Sequence, residues 1–149
     1  MNLFRKKHLE LLLPAKGELI ELEGVPDEAF AQKMLGEGYA VNPTEGIIVA
    51  PVSGTISHIF PTGHAFGIDS DEAEILVHIG IDTVELKGEG FKALKKEGDS
   101  VKAGEAVIEV DFERIKEAGK SPITPVIVTP KDEKKKLKLD LNKQQVTLG

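Results

Sequence analysis

The sequence contains no cysteine and no tryptophan, and aromatic residues make up only 5% of it. The missing thiols exclude disulfides and thiolate metal sites. No stretch approaches the apolar length of a membrane span, and the leucines at 11–13 are too few for the core of a signal peptide. The net charge of −6 leaves no basic surface for nucleic acid. These absences favour an intracellular globular protein without a nucleic-acid partner.

Glycine and proline, by contrast, are abundant, with 15 and 8 residues among 149. They divide the chain into segments that are too short for many helices. The aliphatic runs between them predict strands at 19–22, 46–50, 55–60, 75–81, 106–110 and 125–129, and an edge strand at 137–141. Short helices are predicted over 27–35 and 112–118. The sequence therefore predicts an all-β fold with one or two short helices.

A phrase of the form Pro-x-x-Gly-x-aliphatic occurs twice, beginning at Pro14 and at Pro51. A third related element at 97–108 has two glycine turns around a short strand and resembles the turn phrases of biotinyl and lipoyl carrier domains. No lysine lies in a hairpin like the modified lysine of those carriers, so their function does not follow. The repeat predicts a duplicated β-motif that closes into a barrel or sandwich. We expect one domain over 11–149 after a short N-terminal extension at 1–10.

Two of the four histidines, His64 and His78, lie in alternating runs that are separated by a turn-like stretch. If the runs form an antiparallel hairpin centred on Asp71, His64 lies opposite His78 and Phe66 lies opposite Leu76. Directly opposed side chains have Cβ atoms roughly 4.5–5.5 Å apart. A pair of imidazoles beside apolar side chains is then a chemical site.

The alternation in the second run separates a core face from a chemical face. The core face is predicted to carry Ile75, Val77, Ile79 and Ile81. The chemical face is predicted to carry Thr62, His64, His78, Gly80 and Asp82, with Phe66 and Leu76 as its apolar surround.

Four interpretations of the histidine pair compete. The first interpretation is that both are ordinary hydrogen-bonded histidines near a core. It would be the default for a single histidine, but an opposed pair makes it a minority interpretation. A zinc site would be half filled, with Asp82 or a partner's carboxylate as a further ligand. Proton transfer suits histidine near neutral pH, although no deep substrate pocket is indicated. Nucleophilic attack on phosphorus fits best, with a carbonyl holding one ring proton and donors such as Thr62 near the phosphoryl oxygens. The metal interpretation stays open.

Three phrases resemble the glucose-class enzyme IIA domain of the bacterial sugar phosphotransferase system. They are Pro-Val-Ser-Gly-Thr-Ile at 51–56, Thr-Gly-His-Ala-Phe at 62–66 and Val-His-Ile-Gly-Ile-Asp-Thr-Val at 77–84. The last phrase is highly specific, and the resemblance spans roughly residues 11 to 130. It implies an antiparallel barrel-sandwich hybrid with a duplicated β-motif, in agreement with the repeat.

The resemblance also implies a function and the residues that carry it out. Such domains accept a phosphoryl group from the phosphocarrier protein HPr and pass it to a cysteine of a IIB domain. The group originates in phosphoenolpyruvate and reaches HPr through enzyme I. The implied transfer residues are His78 (phosphorylated on Nε2), His64 (stabilising the phosphoryl group), Thr62 (within the histidine network) and Gly80 (whose carbonyl fixes the tautomer of His78). The implied docking residues are Asp27 and Asp82, which would meet a basic residue of HPr, and an apolar rim of Phe30, Phe60 and Leu76.

Further expectations follow from this resemblance. We expect a monomer that needs no cofactor and acts in the cytoplasm, at most peripheral to the membrane through a permease. The alternative is a regulatory protein that inhibits others through the histidine face, with zinc shared between His64, His78 and the partner. Because the family usually continues past Gly149 with a closing strand, we expect that last strand to be missing and the closure of the sheet to be incomplete.

Overall fold

Short strands are the main regular elements of the computed structural model, which describes residues 9–149. The strands are β1 (Leu9–Leu11), β2 (Gly17–Glu21), β3 (Gly38–Pro43), β4 (Ile47–Val49), β5 (Gly54–Ile59), β6 (Ala65–Asp69), β7 (Ala73–His78), β8 (Phe91–Ala93), β9 (Ser100–Val101), β10 (Ala106–Val110), β11 (Thr124–Pro130), β12 (Leu137–Asp140) and β13 (Gln145–Leu148). The helices are α1 (Glu28–Ala31), α2 (Phe112–Glu117) and two 3₁₀ segments, Leu22–Gly24 and Thr83–Leu86. The predicted all-β fold with short helices is confirmed. No helix in the described part of the chain is long and apolar enough to span a membrane.

The strands form one large sheet and two small ones. The large sheet has the order β2-β3-β11-β7-β6-β5-β9, and the small sheets have the orders β4-β10-β8 and β1-β13-β12. All of these strand pairs are antiparallel. Buried side chains of the small sheets, such as Ile48, Ile108 and Leu148, share one core with the inner face of the large sheet. The small sheets therefore form the second layer of a β-sandwich.

The large sheet also buries side chains on its outer face. In β11, Val126 and Val128 point into the main core, whereas Ile127 between them belongs to a second group of buried residues. This alternation is the ordinary period of a strand. We call the second group the outer cluster; it consists of Leu22, Val25, Phe30, Ala40, Ile81 and Ile127. The outer cluster supports the loops beside the histidines.

The repeated phrase corresponds to two equivalent hairpins, β2–β3 and β5–β6, on opposite sides of the central β11–β7 pair. Each hairpin begins at the glycine of the phrase. A Cβ on Gly17 would lie 2.1 Å from the carbonyl oxygen of Asn42, and one on Gly54 would lie 2.4 Å from that of Asp69. Both copies therefore need glycine because the neighbouring backbone approaches too closely for a side chain.

The two predicted helices differ in accuracy. The helix expected over 112–118 is confirmed by α2, which ends one residue earlier, at Glu117. The helix expected over 27–35 is too long, because α1 ends at Ala31. Lys33 adopts a left-handed conformation with φ of 57°, and its ammonium lies 3.4 Å from Glu23 and 3.3 Å from Glu37. A left-handed residue of this kind ends an α-helix.

The predicted register of the β6–β7 hairpin is wrong by one residue. Ala65, not His64, faces His78, and Gly67 faces Leu76. The turn contains two residues because the N–H of Ser70 donates to the carbonyl of Ala73 at 3.0 Å. Two-residue turns are the commonest in hairpins, and a slip of one residue exchanges the two faces.

The register also corrects the surround predicted for the chemical face. Phe66 pairs with Val77, is 0% exposed and lies in the main core, on the face opposite to Leu76. The core face predicted from Ile75, Val77 and Ile79 is confirmed. Ile81 is buried as well, but in the outer cluster, because the chain leaves the strand after His78.

The expected lack of a closing strand is also wrong. β13 lies between β1 and β12, with Leu148 opposite both Leu9 and Leu137. Val146 and Leu148 are 0% exposed, so this strand completes the main core. The edge strand predicted over 137–141 is confirmed by β12. Of the N-terminal extension predicted at 1–10, residues 1–8 lie outside the described residues, and β1 begins at Leu9.

Candidate functional site

The two histidine rings meet at one end of the β6–β7 hairpin. His78 is the last residue of β7, and His64 lies in the bend just before β6. Their ring centroids are 5.1 Å apart, with an interplanar angle of 79°. The N–H of Ile79 donates to the carbonyl of His64 at 2.7 Å, so the two backbones are adjacent. The rings approach each other despite the shifted register because His64 precedes the regular strand, after a left-handed Gly63 with φ of 74°.

The orientation of His78 is set by one hydrogen bond. Its Nδ1 lies 2.7 Å from the carbonyl oxygen of Gly80. A carbonyl only accepts, so Nδ1 carries the proton, and in a neutral ring Nε2 then has a free lone pair. The Gly80 carbonyl therefore lies where it would fix the tautomer of His78, which is the role predicted for it.

The loop after His78 has an unusual backbone. Gly80 has φ of 73° and Asp82 has φ of 59°. A Cβ on Gly80 would lie 2.6 Å from Cγ2 of Thr83 and 2.9 Å from the carbonyl oxygen of Ser121. The hydroxyl of Thr83 donates to the carbonyl of Ile79 at 2.5 Å. Sequence reasoning did not identify Thr83 or Ser121 as part of the site. Thr83 lies inside a matched phrase, but the phrase does not show that its side chain contacts the backbone. Ser121 is far from His78 along the chain, so no local pattern connects the two.

His64 has its own hydrogen-bond partner. The hydroxyl of Thr62 bonds to Nδ1 of His64, and the His64 residue is only 6% exposed. A hydroxyl can donate or accept. When it donates, the ring proton of His64 is on Nε2, which becomes a hydrogen-bond donor.

Burial keeps both rings neutral at pH 7. It lowers the pKa of His64 to about 4, and repulsion by His78 acts in the same direction. Burial also lowers the pKa of His78, partly offset by the Gly80 carbonyl and by the carboxylates of Asp27 and Asp82. A neutral imidazole with a free Nε2 is the nucleophilic form of histidine.

Apolar side chains surround the rings. The Phe30 ring centroid is 5.3 Å from that of His78, and the Phe60 centroid is 5.3 Å from that of His64. Phe30 is only 5% exposed, so it supports His78 more than it offers surface. Phe60 and Leu76 are half-buried.

Some exposed apolar residues near the site were missed from the sequence. Leu35, which is 52% exposed, lines a surface cavity of about 350 Å³ together with Leu76 and Ile127. Val84 is 51% exposed and lies two residues after Asp82. No periodic pattern identifies single exposed residues in turns, so the sequence carried no signal for them.

The two predicted acidic residues differ in their surroundings. Asp27 is the N-cap of α1, and its carboxylate accepts from the backbone N–H of Ala29 at 2.9 Å. Asp82 is exposed and begins a 3₁₀ segment. Both carboxylates raise the pKa of His78, so both lie on its side of the site.

The residues described do not complete a metal site. Among residues 9–149, no group of three or more histidine, aspartate or glutamate side chains could hold a metal ion. In this structure Asp82 therefore does not form such a group with His64 and His78. Zinc bound here would need a ligand from another molecule.

Comparisons with known proteins agree on one family. A family profile described as phosphoenolpyruvate-dependent sugar phosphotransferase system, EIIA 1, matches residues 9–134. The PTS system glucose-specific EIIA component of Staphylococcus epidermidis is 43% identical over 135 residues, 90% of this chain and 81% of the relative. That of Halalkalibacterium halodurans is 51% identical over 121 residues, 80% and 70% of the two chains. The solved structure of glucose permease IIA from Mycoplasma capricolum is similar at a TM-score of 0.87 and 40% identity, covering 95% of this chain and 92% of that one.

Proposed function

This chain belongs to the EIIA 1 family of the phosphoenolpyruvate-dependent sugar phosphotransferase system, and we propose that it carries a phosphoryl group on His78 during sugar uptake. The donor is phospho-HPr, and the acceptor is a cysteine of a IIB domain. The relatives named above are glucose-specific EIIA components, so glucose is the proposed sugar.

The observation that carries this proposal is the hydrogen bond from Nδ1 of His78 to the Gly80 carbonyl. With the proton on Nδ1, the lone pair of Nε2 can attack phosphorus without first losing a proton. The nitrogen–phosphorus bond forms as the bond between phosphorus and the donor protein breaks, and the donor keeps that electron pair. In the onward step, a thiolate sulfur attacks phosphorus, and neutral His78 leaves with the electron pair of its bond to phosphorus.

His64 and Thr62 stabilise the phosphoryl group in this proposal. Donation from the Thr62 hydroxyl to Nδ1 of His64 leaves a proton on Nε2 of His64, which then donates to a phosphoryl oxygen. A ring distance of 5.1 Å is compatible with a phosphoryl group on His78 that also reaches His64. The negative charge of that group raises the pKa of His64 from its low resting value and strengthens the bond.

Docking uses the same face for both partners, one after the other, and the protein acts as a monomer. Asp27 and Asp82 meet a basic residue of HPr. Phe60 and Leu76 form the exposed part of the apolar rim, with Phe30 beneath His78. A shared face requires each complex to be transient, because the second partner binds only after the first has left.

Phosphorus NMR tests the carrier role directly. The protein is incubated with phosphoenolpyruvate, enzyme I and HPr, and a phosphohistidine signal is expected that is absent from the His78→Gln variant. His58→Gln is the matched control, since His58 is exposed and paired with Glu97 at 2.6 Å, and the signal should persist. His64→Gln should accept the phosphoryl group but lose onward transfer. No signal from the unchanged protein beside fully phosphorylated HPr would overturn the proposal.

The incomplete set of zinc ligands favours a second function for the face that carries the two histidines, which is regulation of another protein. His64 and His78 supply two of the four ligands that zinc prefers, so a carboxylate of a regulated protein could complete the site. Calorimetry would show weak zinc binding by the protein alone and tighter binding in the presence of such a partner. Equal zinc affinity with and without the partner would contradict this use.

A further inference from the structure

The mechanism above leaves one buried polar side chain next to the site without a function. Thr83 is 0% exposed, and its hydroxyl donates to the carbonyl of Ile79 at 2.5 Å. Ile79 and Thr83 bracket the three residues that include Gly80. This hydrogen bond therefore closes the loop whose carbonyl binds the ring of His78.

The same threonine fills space against the loop. A Cβ on Gly80 would lie 2.6 Å from Cγ2 of Thr83 and 2.9 Å from the carbonyl oxygen of Ser121. Ser121 also accepts from the N–H of Ile81 at 3.0 Å. Gly80 thus packs closely against both Thr83 and Ser121 and has a left-handed conformation, with φ of 73°.

Ile79 connects this loop to both histidines. It follows His78 in the chain, its N–H donates to the carbonyl of His64 at 2.7 Å, and its carbonyl accepts from the hydroxyl of Thr83. A shift of Ile79 would therefore move the Gly80 carbonyl and also change the spacing between the two imidazoles.

We propose that Thr83 is a positioning residue for phosphoryl transfer, whose hydroxyl holds the loop so that the Gly80 carbonyl keeps the proton of His78 on Nδ1. This inference rests on the proposed function, because the tautomer matters only if Nε2 of His78 accepts the phosphoryl group. Thr83 acts through Gly80 and not by contact with the reacting atoms.

The Thr83→Val substitution isolates the hydroxyl, because valine has nearly the shape of threonine. It leaves the carbonyl of Ile79 without the hydroxyl that now donates to it. Buried carbonyl groups rarely stay without a partner, so the loop is expected to rearrange. The Gly80 carbonyl then moves away from Nδ1, and the tautomer with its proton on Nε2 gains population. In that tautomer Nε2 has no free lone pair and cannot attack phosphorus.

The test measures the tautomer of His78 by long-range proton–nitrogen NMR on unphosphorylated, nitrogen-15-labelled protein. We expect the unchanged protein to show the Nδ1–H form and T83V to show a mixture. The pKa of His78 should fall further in T83V, because the bond to Gly80 raises it. Phosphoryl transfer from phospho-HPr should slow by about 10-fold, as for a small misplacement of a reacting group. Thr83→Ser, which keeps the hydroxyl, should restore the tautomer and most of the rate.

Ser70→Ala is the matched control. Ser70 is 5% exposed, and its hydroxyl donates to the carbonyl of Ala73 at 2.8 Å, at the opposite end of the same hairpin. Its loss should lower stability without changing the tautomer of His78 or the transfer rate. If T83V does not fold, Thr83→Ala takes its place as the variant without a hydroxyl.

Two outcomes would overturn the inference. One is a folded, hydroxyl-free variant with the tautomer and rate of the unchanged protein. The other is T83S with the same mixture of tautomers and the same slow transfer as T83V. Failure of the proposed function is a separate result, since it would appear as a missing phosphohistidine signal in the unchanged protein. The tautomer measurement needs neither phosphate nor partner and stands independently of that result.

Discussion

The two ends of the β6–β7 hairpin satisfy their polar groups in different ways. At the turn end, the N–H and hydroxyl of Ser70 both bond to the carbonyl of Ala73, three residues away. At the histidine end, Ile79 bonds to His64 and Ile81 bonds to Ser121, which lies on another part of the chain. The hydrogen bonds of Ser70 are therefore local, whereas those of Ile79 and Ile81 join segments that are distant in the chain.

The two ends also differ in electrostatics. At the turn end, Asp69 pairs with Lys131 at 2.6 Å on the exposed surface. At the histidine end, burial holds His64 and His78 neutral. Exposed ion pairs contribute little to stability, whereas a buried imidazole makes stability depend on pH. The histidine end is thus the end whose stability depends on pH through buried imidazoles.

The largest effect should follow from Gly80→Ala, which disturbs the histidine end at its most crowded point. The added Cβ would meet Thr83 and the Ser121 carbonyl at under 3.0 Å, in a residue with φ of 73°. We expect a loss of about 4 kcal/mol in the free energy of unfolding, from overpacking together with backbone strain. Chemical denaturation measures this loss, and phosphorylation of His78 should fall with it.

Gly98→Ala is the control for that substitution. Gly98 has φ of 90°, but a Cβ there would meet nothing within 4 Å. Only the backbone strain remains, so the loss should be about 1–2 kcal/mol. Equal losses at both positions would mean that crowding around Gly80 does not hold the loop.

The second effect is a dependence of stability on pH that comes from the histidine end. The pKa of His64 is about 4 in the folded protein and near its ordinary value of 6.5 when unfolded. The unfolded state therefore binds a proton first as the pH falls. Stability should be complete above pH 6.5 and should decline between pH 6.5 and about 4 by on the order of 3 kcal/mol. Below that pH this group should cause no further change.

Urea denaturation at several pH values measures this dependence. The H64Q variant is the control and should show a shallower decline over the same window, with the remainder due to His78, whose pKa is lowered as well. A decline that is equally steep in H64Q would contradict the assignment to His64.

A smaller effect is expected from S70A at the turn end. The variant loses two local hydrogen bonds, one donated to and one accepted from Ala73, at 2.8 and 3.1 Å. We expect a loss of about 1–2 kcal/mol and an unchanged rate of phosphoryl transfer. Denaturation and a transfer assay check both. A slower transfer would show that the two ends are coupled and would contradict the view that the turn end does not affect the histidine end.

The smallest effect is expected from Lys131→Ala, which removes the exposed pair with Asp69. The midpoint of thermal unfolding should not change measurably, because exposed pairs are screened by solvent and salt. A clear drop that disappears at high salt would show that the turn end also depends on charge.

Local patterns predicted much of the fold. Alternating or continuous aliphatic runs identified β7, β10 and β11 because glycine or proline interrupts the chain close to each of them. β3 was not predicted, although Tyr39, Ala40 and Val41 are all 0% exposed. Tyr39 and Val41 face the main core and Ala40 faces the outer cluster, so a strand buried on both faces shows no alternation.

The site was predicted in part. The two histidines and the Gly80 carbonyl were expected together, through a hairpin and a family resemblance, and the structure brings them together. The opposition of His64 to His78 was wrong because hydrogen bonds between Ser70 and Ala73 set a two-residue turn. Turns of two and of three residues differ too little in sequence for the turn length, and with it the register, to be predicted.

The sequence by itself determined the β class, the repeat, the histidine motif and the family, because each of these depends on residues that are close together in the chain. Only the tertiary structure decided the register of the hairpin, the closure by β13 and the support of Gly80 by Thr83 and Ser121. The low pKa of His64 also belongs to the tertiary structure. The physical reason is that burial and backbone contacts depend on which distant segments meet, and a local pattern does not contain that information.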